Sequence, residues 1–179
     1  IRRQRQMCIR DRVSAVKHGQ QVEITTFRAD LYDGVTRNPE VTFGDTLDGD
    51  LVRRDFACNA MAVELSLIDG TFAPQFHDPV GGLEDVLHRR LDTPQAPEVS
   101  FRDDPLRMLR AARFVSQLGF SVAPRVFDAM RDMADEITRI TAERVQAELD
   151  KLMVGAQPWE GIDLLVRTCL LYTSDAADE

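Results

Sequence analysis

The apolar residues of this chain change their spacing partway along, and that change limits the fold more than any other feature. "RVSAVKHGQQVEITTFR" alternates at Val13, Ala15, Val22, Ile24 and Thr26 around His18-Gly19-Gln20, which predicts a β-hairpin. "AVELSLIDGTFAPQFHD" repeats the pattern around Asp69-Gly70 and predicts a second strand pair. From Pro97 onward the spacing is helical. "DDPLRMLRAARFVSQLGF" places Asp104 as N-cap, Pro105 at the first helical position and Gly119 as the stop. A second helix is predicted from Pro124, and "TAERVQAELDKLM" predicts a third, with Thr141 as cap and Val145, Leu149 and Leu152 on one face. Such a chain belongs to the α+β class, a β-rich first half and an all-helical second half meeting near Thr93 to Pro97.

Between the two strand pairs lies "ADLYDGVTRNPEVTFGDTLDGD", whose three glycines, proline and many aspartates read as a long loop. The segment after it, "LVRRDFACNAMAVEL", suits a short helix starting at Asp50, with Ala57, Ala60 and Met61 packed inward. The first twelve residues and the last eight show neither periodicity nor turn chemistry. They resemble translated adapter sequence, so 1–12 and 172–179 are expected to be non-native tails on an internal fragment.

Charge and cysteine content narrow the function. With 179 residues the chain has room for one domain or two small ones, and its net charge of -8 argues against coating nucleic acid through bulk positive potential. The arginines nevertheless crowd the middle of the chain, where a local basic groove suits a nucleotide or a short RNA end. Its three cysteines show no metal-ligand spacing and no disulfide framework, and no apolar run approaches the roughly 18 residues of a membrane span. These features predict a reducing, cytoplasmic setting, with neither membrane nor DNA as partner.

Two charged clusters can carry chemistry. Arg53-Arg54-Asp55 stands directly against small apolar residues. It is either an ion-pair knot closing a helix start or a ligand wall. In the second case Asp55 accepts from a sugar hydroxyl, an arginine holds phosphate, and Asn59 completes the contact from the same helical face. Arg107, Arg110 and Arg113 recur every three residues along the next helix. Such a stripe is commonly a solvated face. Asp104 with Arg107, one turn apart, would also make a base-reading edge, the carboxylate accepting from an exocyclic amine and the guanidinium donating to ring acceptors. Cytosine and adenine fit that edge; uracil and guanine do not. Glu23, within a strand, assists metal-bound chemistry if it faces a cleft and is a solvent-face glutamate otherwise. Asp48-Gly49-Asp50 lies in a Gly-rich acidic loop and is rejected as a catalytic pair.

In series, "VEITTFR", "LVRRDFACNAMA", "DPVGGLEDVLHRRL", "FRDDPLRMLRAARF" and "AERVQAELDKLM" resemble the motifs of the CCA-adding tRNA nucleotidyltransferase and bacterial poly(A) polymerase family, over about Arg12 to Val154. The resemblance implies a truncated nucleotidyltransferase head with a mixed sheet over 13–92, a helical RNA-binding neck over 97–155, and the start of a further helical region over 156–171. By matching position, Glu23 would be the catalytic carboxylate beside the metals, and Arg54, Asp55 and Asn59 would hold the nucleotide's phosphate and ribose. Asp104 and Arg107 would select CTP or ATP, with Arg110 and Arg113 lining the same pocket toward the triphosphate. The implied partners are CTP, ATP and a tRNA 3′ end, and the implied cofactor of the full-length enzyme is Mg²⁺. The family's phosphate-cradling Gly-Gly and paired metal-binding aspartates have no match before "VEITTFR", so the fragment itself is expected to be inactive, with no metal ligand assigned. The family's usual Glu-Asp is Asp103-Asp104 here, and Ala57-Cys58 replaces a Thr-Ile or Thr-Val pair. A poly(A) polymerase shares these motifs; a non-catalytic RNA-binding module is the alternative of another class.

Overall fold

The computed structural model describes residues 6–8, 12–25, 28–31, 40–43 and 46–171. Residues 1–5 and 9–11 of one expected tail, all of the other (172–179), Thr26, and 32–39 and 44–45 of the expected loop lie outside them. The chain divides into two compact units, 1–50 and 51–179.

In the first unit, β1 (Gln6–Cys8), β2 (Arg12–Lys17) and β3 (Gln20–Thr25) form an antiparallel sheet in that order. The predicted hairpin is β2–β3, with Lys17 opposite Gln20. Its two-residue turn is His18-Gly19, both at positive φ, the geometry that matches strand twist. β1 lies in a segment where the sequence shows no alternation. Two readings of the acidic loop need correction. β4 (Arg28–Leu31) and β5 (Glu40–Phe43) pair antiparallel inside it. Then α1 (Leu47–Val52) starts before Asp50, because Thr46 supplies the cap: its Oγ1 accepts the Gly49 N–H at 3.2 Å.

In the second unit the chain leaves α1 at Val52, bends through Arg53–Asp55 and makes one 3₁₀ turn, Ala57–Asn59. The expected helix through Arg53–Ala60 does not form. The Asp55 side chain accepts the Phe56 N–H at 2.9 Å, and the Ala57 N–H donates to the Asp92 carbonyl at 2.8 Å, so local and long-range bonds replace the helical ladder. Ala57 and Ala60 are buried as expected.

The second predicted hairpin is β6 (Ala62–Ile68) with β7 (Thr71–His77) about Asp69-Gly70. The pairs Val63–Phe76, Leu65–Pro74 and Leu67–Phe72 make one continuous apolar row, and it is exposed. α2 (Gly82–Leu87) follows, its first turn held by Asp78, whose carboxylate accepts the N–H groups of Gly82 and Leu83 at 2.6 and 2.9 Å.

α3 (Pro97–Asp103) was not legible as a separate helix. α4 (Leu106–Leu118) is the predicted arginine-bearing helix, beginning one residue after Pro105 and ending at Gly119 in the left-handed region. A two-residue parallel pair, β8 (Arg90–Leu91) with β9 (Ser121–Val122), closes against it. α5 (Pro124–Asp132), α6 (Ala142–Met153) and α7 (Pro158–Arg167) complete the unit. Thr141 occupies the cap position of α6, but its hydroxyl makes no capping bond. Phe56, Leu91, Phe101, Met108, Ala111, Ala112, Met130, Leu152 and Leu165 are buried in one core, with α4 at its centre. α7 approaches α4 closely, since a Cβ at Gly161 would stand 2.7 Å from the Ala112 carbonyl oxygen. Among the described residues no helix is long and apolar enough to cross a membrane.

Candidate functional site

Asp55 is the centre of the arrangement. It is buried, and its carboxylate accepts from the Phe56 N–H, from Asn59 Nδ2 at 3.2 Å, and from the Arg110 guanidinium through Nε at 3.0 Å and through Nη2. Asp55 and Asn59 therefore meet as the sequence predicts, across a 3₁₀ turn in place of a helical face. Burial is the largest single influence on this carboxyl and opposes its ionisation. The Arg110 charge and hydrogen bond, the Asn59 amide and the Phe56 N–H together outweigh burial and hold it below its ordinary 3.8.

A depressed folded-state pKa gives stability that is fully present above the ordinary carboxylate value and is lost as pH falls through the folded one. Unfolding followed from about pH 7 down to about pH 3 should therefore show a loss of stability at the acid end that Asp55→Asn flattens. Parallel profiles for the two proteins would show that the pair is not formed in solution. Nearby Cys58 is pushed up to about 11 by burial and then by Asp55 and Asp85, so it is a packing thiol rather than a nucleophile.

The arginines of α4 are not a solvated stripe. Arg107 donates through Nη1 to Ser100 Oγ at 2.8 Å and through Nη2 to the Arg53 carbonyl at 2.8 Å. Arg110 takes Asp55, and Arg113 pairs with Glu148 of α6 at 3.1 Å, both of those side chains being buried. Phe114 gathers the row: Arg113 stands 4.4 Å and Arg110 5.7 Å from its ring centroid, and the Phe56 ring meets it edge-on at 5.7 Å. Burial lowers the pKa of Arg113, with Glu148 opposing.

Asp104 is extended and closes the first turn of α4, its carboxylate accepting the Leu106 N–H at 3.3 Å through Oδ1. Its Oδ2 accepts from Arg144 of α6, also at 3.3 Å. Arg54 is exposed beside Asp55. Arg54, Asp55, Asn59, Asp104, Arg107, Arg110 and Arg113 all lie in the second unit, and bonds from α4 tie the Arg53–Asp55 bend to the helix. Glu23 stands in the first unit, exposed on β3 opposite Ser14, where it accepts from Gln21 Nε2 at 3.3 Å.

Ser100, Arg144 and Glu148 were missed. Glu148 carried a signal: it lies three residues after Val145 and four before Leu152, on the apolar stripe of its own helix. Among the described residues no three His, Cys, Asp or Glu side chains cluster to hold a metal ion. An open cleft of about 480 Å³ lies at the far end of α4, bordered by Gly119, Phe127, Asp128, Glu160, Asp163 and Arg167, away from these residues.

The chain matches the model of the poly A polymerase head domain over residues 3–92, half its length, and that of the probable RNA and SrmB-binding site of polymerase A over 119–173. It is 40% identical over 168 residues to a CCA-adding enzyme of Levilactobacillus brevis, covering 93% of this chain and 41% of that protein. Its fold is similar to the crystal structure of the Bacillus stearothermophilus CCA-adding enzyme in complex with CTP, with TM-score 0.76, 37% identity, and coverage of 90% of this chain and 37% of that one. A CCA-adding enzyme in complex with ATP aligns with TM-score 0.71 and 26% identity, covering 90% of this chain and 35% of that one. The chain thus spans about two-fifths of the length of the proteins it matches.

Proposed function

Because the chain belongs to the poly A polymerase head-domain family, we propose that it is the nucleotide-selecting part of a CCA-adding RNA nucleotidyltransferase. In the parent reaction the 3′-hydroxyl of a tRNA end attacks the α-phosphate of CTP or ATP, the bond to the β-phosphate breaks, and pyrophosphate leaves. This chain supplies one wall of the pocket. Asp55 and Asn59 take the ribose, Arg54 and Arg110 the phosphates, and Asp104 with Arg107 the base edge. Arg113 supports the row from behind through Glu148. The observation that carries this reading is the double tie between the Arg53–Asp55 bend and α4: Arg107 to the Arg53 carbonyl, and Arg110 to Asp55. These ties join two stretches far apart in sequence, which supports a shared pocket wall on which Asp104 and Arg107 would read the base.

Glu23 is proposed as the carboxylate beside Mg²⁺ in the full-length enzyme. The chain alone is proposed to bind nucleotide without polymerising, in a cytoplasmic setting. Selection of CTP over an adenylate-only tail is favoured by the relatives' identity as CCA-adding enzymes.

Asp104→Asn tests the reading directly. The Asn amide can turn its NH₂ toward the carbonyl that uracil presents, while its oxygen keeps one of the two donors, the Leu106 N–H or Arg144, that hold the Asp104 oxygens at 3.3 Å each. The affinity of the 179-residue chain for UTP relative to CTP should therefore rise about tenfold, the worth of one repaired mismatch of about 1–3 kcal/mol. Calorimetric titration of both nucleotides decides it. A folded variant with an unchanged ratio would make Asp104 a helix-end residue only.

A further inference from the structure

We propose that Ser100 is the positioning residue that fixes Asp104 and Arg107 relative to one another, an inference that rests on the base-reading role proposed above. Ser100 is 1% exposed, in α3, outside the helix that carries Arg107. It touches both members of the pair. Its carbonyl accepts the Asp104 N–H at 3.2 Å, which ends α3 and turns the chain into the extended Asp104. Its hydroxyl oxygen accepts Arg107 Nη1 at 2.8 Å, and its carbonyl receives the same nitrogen at 3.4 Å.

The other terminal nitrogen of Arg107 is held by the Arg53 carbonyl at 2.8 Å. A guanidinium is planar, so anchors on both terminal nitrogens set the plane of the whole group. It carries five N–H donors, and two anchors leave donors for a base. An arginine without these anchors would sample many rotamers and lose that freedom on binding, which weakens affinity. Ser100 thus does for the guanidinium what the Leu106 N–H does for the Asp104 carboxylate: each member is oriented before a nucleotide arrives.

A double-mutant cycle separates positioning from packing. CTP and ATP are titrated calorimetrically into the unaltered chain, Ser100→Ala, Arg107→Ala and the double variant, and each melting temperature is recorded without nucleotide. Ser100→Ala should weaken CTP and ATP alike by about tenfold, the effect of losing a hydrogen bond to a charged group. In the Arg107→Ala background the same change should matter by less than about twofold. Ser100→Cys, close in volume but a weaker acceptor, takes its place if Ser100→Ala does not fold. Equal losses in both backgrounds, or no loss in the first, would overturn the inference by making Ser100 a packing residue. If Arg107→Ala leaves nucleotide affinity unchanged, or the unaltered chain binds neither nucleotide, the reading of the site falls first and this inference with it.

Discussion

Glu148→Ala is expected to destabilise the second unit by about 3–5 kcal/mol, the usual cost of removing one partner from a buried ion pair. Glu148 and Arg113 face each other at 3.1 Å with side chains 5% and 11% exposed. Without the carboxylate the guanidinium remains between Phe114 and the α4–α6 contact, with its charge uncompensated where water cannot replace the lost partner. Lys151, which donates to the other Glu148 oxygen at 3.0 Å, is half exposed and can turn to solvent; Arg113 cannot. Glu148→Gln keeps volume and one acceptor and should cost less. Replacing both residues with leucine should be close to neutral, because the desolvation of both charges is removed together. Urea unfolding of the four proteins measures the series. A loss below about 1 kcal/mol for Glu148→Ala would mean that the pair behaves as a solvated surface bridge.

That pair also shows where sequence reading stops. The turns about His18-Gly19-Gln20, which the structure narrows to His18-Gly19, and Asp69-Gly70 were legible because glycine readily supplies the positive φ that such tight hairpin turns need. Gly119 and Pro124 marked helix limits for equally local reasons. Asp55 with Asn59 was legible too, since the partners are four residues apart.

The arginines were harder. Spacing places Arg107, Arg110 and Arg113 on one arc of α4, but says nothing of what that arc meets. Ser100, Asp55 and Glu148 come from three other segments, and only tertiary packing selects them. α3 escaped because seven residues are too few for a helical period to declare itself beside Pro97 and the Asp103-Asp104 turn. β4 and β5 escaped because four-residue strands in a glycine- and aspartate-rich stretch carry almost no alternation.

Gly82 is the position where a single methyl group should reach the candidate site through the backbone. A Cβ there would overlap the Ala57 carbonyl oxygen and lie 2.9 Å from both the Ala57 carbonyl carbon and Met61 Cγ. α2 cannot slide away freely, because Asp78 holds the N–H groups of Gly82 and Leu83. Ala57 is tethered as well, through its N–H to Asp92. The clash must therefore be relieved by moving the 3₁₀ turn, and with it Asp55 and Asn59. Gly82→Ala should cost about 1–3 kcal/mol in stability, as overpacking does, and should weaken CTP binding beyond what that loss explains. Gly81→Ala is the control. Gly81 has φ 75 with nothing within 4 Å of the place a Cβ would take, so alanine there meets only backbone strain of about 1–2 kcal/mol. The two variants should thus differ little in urea midpoint yet clearly in CTP affinity, with only Gly82→Ala displacing Asp55 from Arg110. If both lose affinity equally, or Gly82→Ala binds CTP as the unaltered chain does, close packing of α2 on the 3₁₀ turn has no part in shaping the site.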